Sequence, residues 1–127
     1  MNSHIQKFDG VCLWSENPWK LAKFYEDILG IKVHRELTHP NDKGIEFMIN
    51  DAYFFIGFHD KIKGNNKDPY RIMVGFHVDS VTKTYEDLKN KGVVFEQPAS
   101  KSPDGTFMVA TAYDPEGNII QFFGDLE

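Results

Sequence analysis

The sequence predicts an α+β fold of two tandem β-α-β-β-β modules, and three observations carry that expectation. Lys23-Phe24-Tyr25-Glu26-Asp27 returns sixty positions later as Lys83-Thr84-Tyr85-Glu86-Asp87. Each copy lies on a stripe of helical period, between strand-like runs that follow the same order in both halves. Turn signals join the last two strands of each half: Asn50-Asp51 in the first, and Asp114-Pro115-Glu116-Gly117 in the second, where Pro at i+1 and Gly at i+3 suit a type I turn. Repeated supersecondary units usually exist because one cannot bury its apolar face alone, so the cleft between the modules is the expected place for function.

The elements follow in order. Strand-like runs cover Ile5 to Trp14, Ile31 to Leu37, Ile45 to Ile49 and Tyr53 to His59. The first helix is announced by Asn17 as N-cap and Pro18 at the first helical position, carries Leu21, Phe24, Tyr25, Ile28 and Leu29 on one face, and ends at Gly30. The second half gives a strand over Ile72 to Val78 and a helix that starts near Asp79 or Ser80 and stops at Gly92. Strands over Val93 to Gln97, Thr106 to Tyr113 and Asn118 to Phe123 follow. The polar stretch Asp60 to Pro69, with Gly, Asn and Pro, reads as a linker. The expected division is module one over about 5–59, linker about 60–70 and module two about 71–125, in a single domain covering 1–127.

A chain of 127 residues should bury about two thirds of the surface its unfolded form exposes, enough for a core without metal or disulfide staples. No apolar run approaches the roughly 18 residues of a membrane span. Met1 to Lys7 has one basic residue and no apolar stretch, so no secretory signal is expected and cytoplasm is the default compartment. The lone Cys12 fits a reducing environment. A net charge of -5 argues against a nucleic-acid partner, whose phosphates want a basic surface. Eleven Phe, five Tyr and two Trp stand out. They either fill a core or line a cavity for an apolar or aromatic ligand.

The tandem modules, the helix ending Phe24-Tyr25-Glu26-Asp27-Ile28-Leu29-Gly30-Ile31, and the late Asp114-Pro115-Glu116-Gly117-Asn118 before an apolar strand resemble the vicinal oxygen chelate superfamily, the glyoxalase, bleomycin-resistance and extradiol-dioxygenase group. The resemblance runs from about Phe8 to Phe123. It implies curved mixed sheets around a central cavity, commonly in a homodimer, but no single activity, because the fold carries lyases, epimerases, dioxygenases, thiol transferases and drug-sequestering proteins. Metal-using members place His, Glu or Gln on inward strand positions. These correspond here to Gly10 or its neighbour, Phe55, Met73 and Gln121. A divalent site needs converging N, O or S donors, and of these only Gln121 has one, a weak amide oxygen.

Strand parity turns Trp14, Phe55, Met73 and Phe123 toward the expected cavity, with Gln121 and His77 as polar contacts. The leading expectation is therefore a metal-independent protein that binds an aromatic or amphipathic ligand between its modules, with drug sequestration as one outcome and no cofactor. His59 and His77 share the inward parity and are the candidate acid or base if the protein is an enzyme, which the sequence leaves open. The alternative is a metal-dependent lyase, isomerase or dioxygenase with a non-standard ligand set, His59, His77, Gln121 and Glu46. A third reading is an interaction module whose cavity is filled by its own rings. Cys12 is expected as a small buried side chain, and His4, His34 and His39 as exposed or terminal ones. The glycines form no phosphate-loop or dinucleotide fingerprint.

Overall fold

In the computed structural model, which describes residues 3–127, the chain divides into two compact units, one ending at Gly64 and the other running Asn65–Glu127. The leader reading of Met1 and Asn2 lies outside the described residues. Among the described residues no helix is long and apolar enough to cross a membrane.

The first unit contains β1 (Gly10–Ser15), α1 (Pro18–Lys23), β2 (Val33–His39), β3 (Asp42–Ile49) and β4 (Ala52–Phe58). Its four strands lie in the order β1-β4-β3-β2. β1 runs parallel to β4 and the other pairs are antiparallel, so the sheet is mixed. Asn17 caps α1 by accepting from the Lys20 amide at 3.2 Å, with Pro18 behind it as expected. Beyond Lys23 the helix widens into a π-helical turn over Phe24–Ile28, where the Leu29 amide reaches back to the Phe24 carbonyl. The wider turn occurs where two adjacent rings, Phe24 and Tyr25, are both buried edge to face, 5.2 Å apart. Tyr25 meets Phe54 of β4 at 5.0 Å, and Phe54 stacks on Phe47 of β3. That defines the helix-covered face and the core. Each such ring contributes about 1.5–3 kcal/mol by burial.

The second unit repeats the plan with β5 (Met73–His77), α2 (Val81–Asn90), β6 (Val94–Lys101), β7 (Met108–Tyr113) and β8 (Ile119–Gly124), ordered β5-β8-β7-β6. Ser80 caps α2 by accepting from the Lys83 amide, and the C-terminal Glu127 accepts from Ser80 Oγ and the Thr82 amide. Val81 packs with Met108 and Ala110, and Tyr85 meets Phe95 at 4.8 Å, so α2 covers the face carrying Ala110, Phe95 and Phe122. The predicted turn closes on the buried Asp114, whose carboxylate accepts from the Glu116 and Asn118 amides while the Gly117 amide reaches the Asp114 carbonyl. Asn66 is tied to this turn through Glu116 and Asn118, and two residues earlier the Gly64 amide donates to Glu16 in the first unit.

Several boundaries differ from expectation: β2 spans Val33–His39 rather than Ile31 to Leu37, β3 begins at Asp42 rather than Ile45, and three others have a local physical cause. The first strand starts at Gly10 rather than Ile5, and Ile5 and Phe8 are exposed. The last bond of that ladder is the Tyr53 amide to the Asp9 carbonyl. β6 extends to Lys101, past Pro98, which a sheet edge tolerates because its open side demands no N–H donor, and proline has none. β7 begins at Met108, because Ser102 and Asp104 fold the preceding residues into a turn that receives the Thr106 and Phe107 amides.

Candidate functional site

Register assigns every strand residue to a face. In the first unit the face away from α1 carries three rows: Gly10 beside Tyr53 and Met48, Cys12 beside Phe55 and Glu46, and Trp14 beside Gly57 and Gly44. Trp14 is exposed and its neighbour Phe55 is buried, their rings edge to face at 5.8 Å. Gly57 permits this arrangement, since a Cβ there would stand 2.3 Å from the Phe55 ring and 2.7 Å from the Trp14 ring. His59, just past β4, meets Trp14 edge to face at 5.6 Å, and its Nδ1 accepts from the Lys61 amide. Three of the sequence-predicted residues, Trp14, Phe55 and His59, thus form one aromatic patch. Cys12 departs from expectation. It is exposed, because it lies on an edge strand and on the face that no helix covers.

The second unit has the matching face. Met73 lies in the row of Ile119 and Tyr113, Gly75 beside Gln121 and Thr111, and His77 beside Phe123 and Val109. Gly75 repeats the role of Gly57, with the Phe123 ring 2.7 Å from where its Cβ would stand. Phe107 meets Phe123 edge to face at 5.8 Å. Gln121 donates from Nε2 to Thr111 Oγ1, which leaves its amide oxygen as the acceptor presented on this face. Met73, His77, Gln121 and Phe123 therefore share one helix-free face of one sheet.

The residues at the positions that the resemblance implies for metal ligands do not fit a divalent cation. A Cβ at Gly10 would lie 1.6 Å from the Tyr53 carbonyl oxygen, so no donor side chain can stand there on this backbone. Phe55 and Met73 have no hard donor, and Gln121 has one amide oxygen. Of the alternative set, Glu46 is engaged within its own module by Arg35 and His34. Within each unit, among the described residues, no three His, Cys, Asp or Glu side chains come together as a metal would require.

Sequence reasoning missed a second feature of the first module's open face. A β-bulge between Val33 and Arg35 sets both His34 and Arg35 against Glu46. Arg35 Nε lies 2.9 Å and His34 Nε2 3.9 Å from the same carboxylate oxygen, Oε2. The Glu46 side chain is only 8% exposed. Together with Asp9, Asp51 and Tyr53 it borders an open groove of about 390 Å³. The Cys12 sulfur beside it, then burial, then the Glu46 and Asp9 charges hold the Tyr53 phenol above its usual pKa. The available signal was the charge of Glu46 in an otherwise apolar run, Gly44-Ile45-Glu46-Phe47-Met48.

A family model described as Glyoxalase/Bleomycin resistance protein/Dioxygenase superfamily matches residues 7–122, and the chain belongs to that family. A relative from Bacillus subtilis (strain 168), named "Uncharacterized protein YraH", is 26% identical over 111 residues, 82% of this chain and 87% of the relative. Among solved structures, a superfamily member from Sphaerobacter thermophilus DSM 20745 superposes with a TM-score of 0.78 at 18% identity, covering 95% of this chain and 98% of that one. The fosfomycin resistance protein FosX from Listeria monocytogenes superposes with a TM-score of 0.71 at 17% identity, covering 96% and 95%. At these identities the likeness to both structures is one of fold.

Proposed function

We propose that this protein binds an aromatic or amphipathic small molecule on the helix-free faces of its sheets, without recruiting a metal. The observation that carries the reading is the pair of glycines, Gly57 and Gly75, whose missing side chains let Phe55, Trp14 and Phe123 lie against the strands. A core needs no such device, because rings buried against a helix pack between side chains, as Phe54 and Phe122 do here. Of these rings the exposed Trp14 and the part-buried Phe123 offer flat apolar area, and an aromatic ligand stacked on one gains about 0.5–1.5 kcal/mol beyond the area it buries. His59, His77 and Gln121 add polar handles that fix orientation. The Listeria neighbour's link to fosfomycin resistance makes drug binding one setting for such a protein, with the ligand here aromatic instead.

Fluorescence titration tests the reading. Trp19, hydrogen-bonded to Glu36, is replaced by Phe so that Trp14 is the sole reporter. A cationic acridine, a neutral naphthol and an anionic naphthalene sulfonate are then titrated with and without EDTA. The expected result is saturable quenching by at least one probe, with a dissociation constant of order micromolar that EDTA leaves unchanged. Absence of saturable quenching by all three, or quenching abolished by EDTA, would refute it.

A further inference from the structure

We infer that the groove beside Glu46 on the first module holds the head group of a free α-amino acid with an apolar side chain. The inference deepens the binding role proposed for this face, since Glu46 and Phe55 are cross-strand neighbours on it.

The ion pair between Arg35 and Glu46 is only half used. Arg35 and His34 both approach Oε2 of Glu46, and Oε1 has no partner among the described residues. Arg35 in turn uses only Nε, so its two terminal nitrogens, on a side chain 62% exposed, remain free to donate. A nearly buried carboxylate with an open acceptor and a guanidinium with open donors stand side by side, 2.9 Å apart. Asp51, in the β3–β4 turn, makes no ion pair among the described residues and adds negative charge to the same groove.

A ligand with one charge engages only one of these two open positions, the Glu46 acceptor or the Arg35 donors. A ligand whose ammonium and carboxylate are adjacent satisfies both. The ammonium donates to Glu46 Oε1 and the carboxylate accepts from the free Arg35 nitrogens, so opposite charges alternate around the contact. Beside the charges lie Met48, 42% exposed, and the Tyr53 ring, which supply an apolar wall for the side chain. A volume of about 390 Å³ falls within the range of small-molecule sites and exceeds what a bound ion needs.

Calorimetry with three probes tests the assignment: L-phenylalanine, its amide, which keeps only the ammonium, and N-acetyl-L-phenylalanine, which keeps only the carboxylate. L-phenylalanine should bind at least tenfold more tightly than either. Arg35→Gln should weaken L-phenylalanine at least tenfold while leaving the amide unchanged, and Glu46→Gln should weaken both L-phenylalanine and the amide. Arg35 is exposed, so its variant keeps the test decisive if Glu46→Gln does not fold. Equal binding of the three probes, no binding of L-phenylalanine, or indifference to Arg35→Gln would overturn the inference. Dye quenching at Trp14, measured on the unmutated protein, separates the two readings. Retained quenching without L-phenylalanine binding would sink the groove alone, whereas absence of quenching would sink the broader role.

Discussion

Gly57 and Gly10 lie on the same face of one sheet, yet they obstruct a side chain for different reasons. At Gly57 the obstacle is the edge of two rings, which can tilt, so Gly57→Ala should cost ~1–3 kcal/mol and shift the emission of Trp14. At Gly10 it is the Tyr53 carbonyl, part of the β1–β4 ladder, and cannot move without breaking the pairing. Gly10→Ala should therefore destabilise more than Gly57→Ala while the Trp14–Phe55 contact stays intact. Urea denaturation of both variants followed by Trp14 fluorescence checks the order, and a milder Gly10→Ala would contradict it. Residue-level parity was legible in the sequence for Trp14, Phe55, Met73, His77, Gln121 and Phe123, because regular strands alternate faces. It gave no reading of the shared face of His34 and Arg35. Adjacent residues cannot share a face in a regular strand, and the bulge that makes them do so has no composition signal here.

Among the elements, β6 is the most irregular strand, with register shifts between Phe95 and Gln97 and again before Ser100. Glu96, at the first shift, accepts hydrogen bonds on one oxygen from Tyr113 of β7 and from Tyr70 ahead of β5. The Tyr113 hydroxyl, then the Tyr70 hydroxyl, hold the Glu96 carboxyl below its ordinary 4.5, and the same contact raises the Tyr113 phenol above its ordinary 10.0. The signs are opposite. A lowered carboxyl stabilises the fold above pH 4.5, and that contribution is lost as pH falls through the folded value. A raised phenol stabilises it below pH 10.0, and that contribution is lost as pH rises through the folded value. Glu96→Gln should therefore lower Tm at neutral pH, with the gap from the unmutated protein narrowing as pH falls below 4.5; a gap that widens in acid would contradict this. Helix caps and turns were legible because Asn17, Ser80 and Asp114 act through local hydrogen bonds that their spacing reveals. The π-helical turn was not, since Phe24 and Tyr25 fit an ordinary helical stripe equally well.

Across the whole molecule, two sheets with the same strand order carry different chemistry on their open faces. The first presents a ring patch and a charged groove, the second Phe107 and Phe123 with Met73, His77 and Gln121. The duplicated plan was readable from the repeated Lys-x-Tyr-Glu-Asp pattern, since one apolar stripe per module must face one sheet. The groove was not readable, because it depends on tertiary placement of Arg35 against a single mid-strand carboxylate. The central claim is that these faces bind a small aromatic molecule. Backbone amide shifts recorded on the labelled protein, before and after saturation with the tightest of the three fluorescence probes, test it most directly. The account predicts that the largest shifts fall on Cys12 to Trp14 and Phe55 to Gly57, with Gly75 to His77 and Gln121 to Phe123 as the second group. Shifts confined to α1 and α2, or none at all, would contradict it.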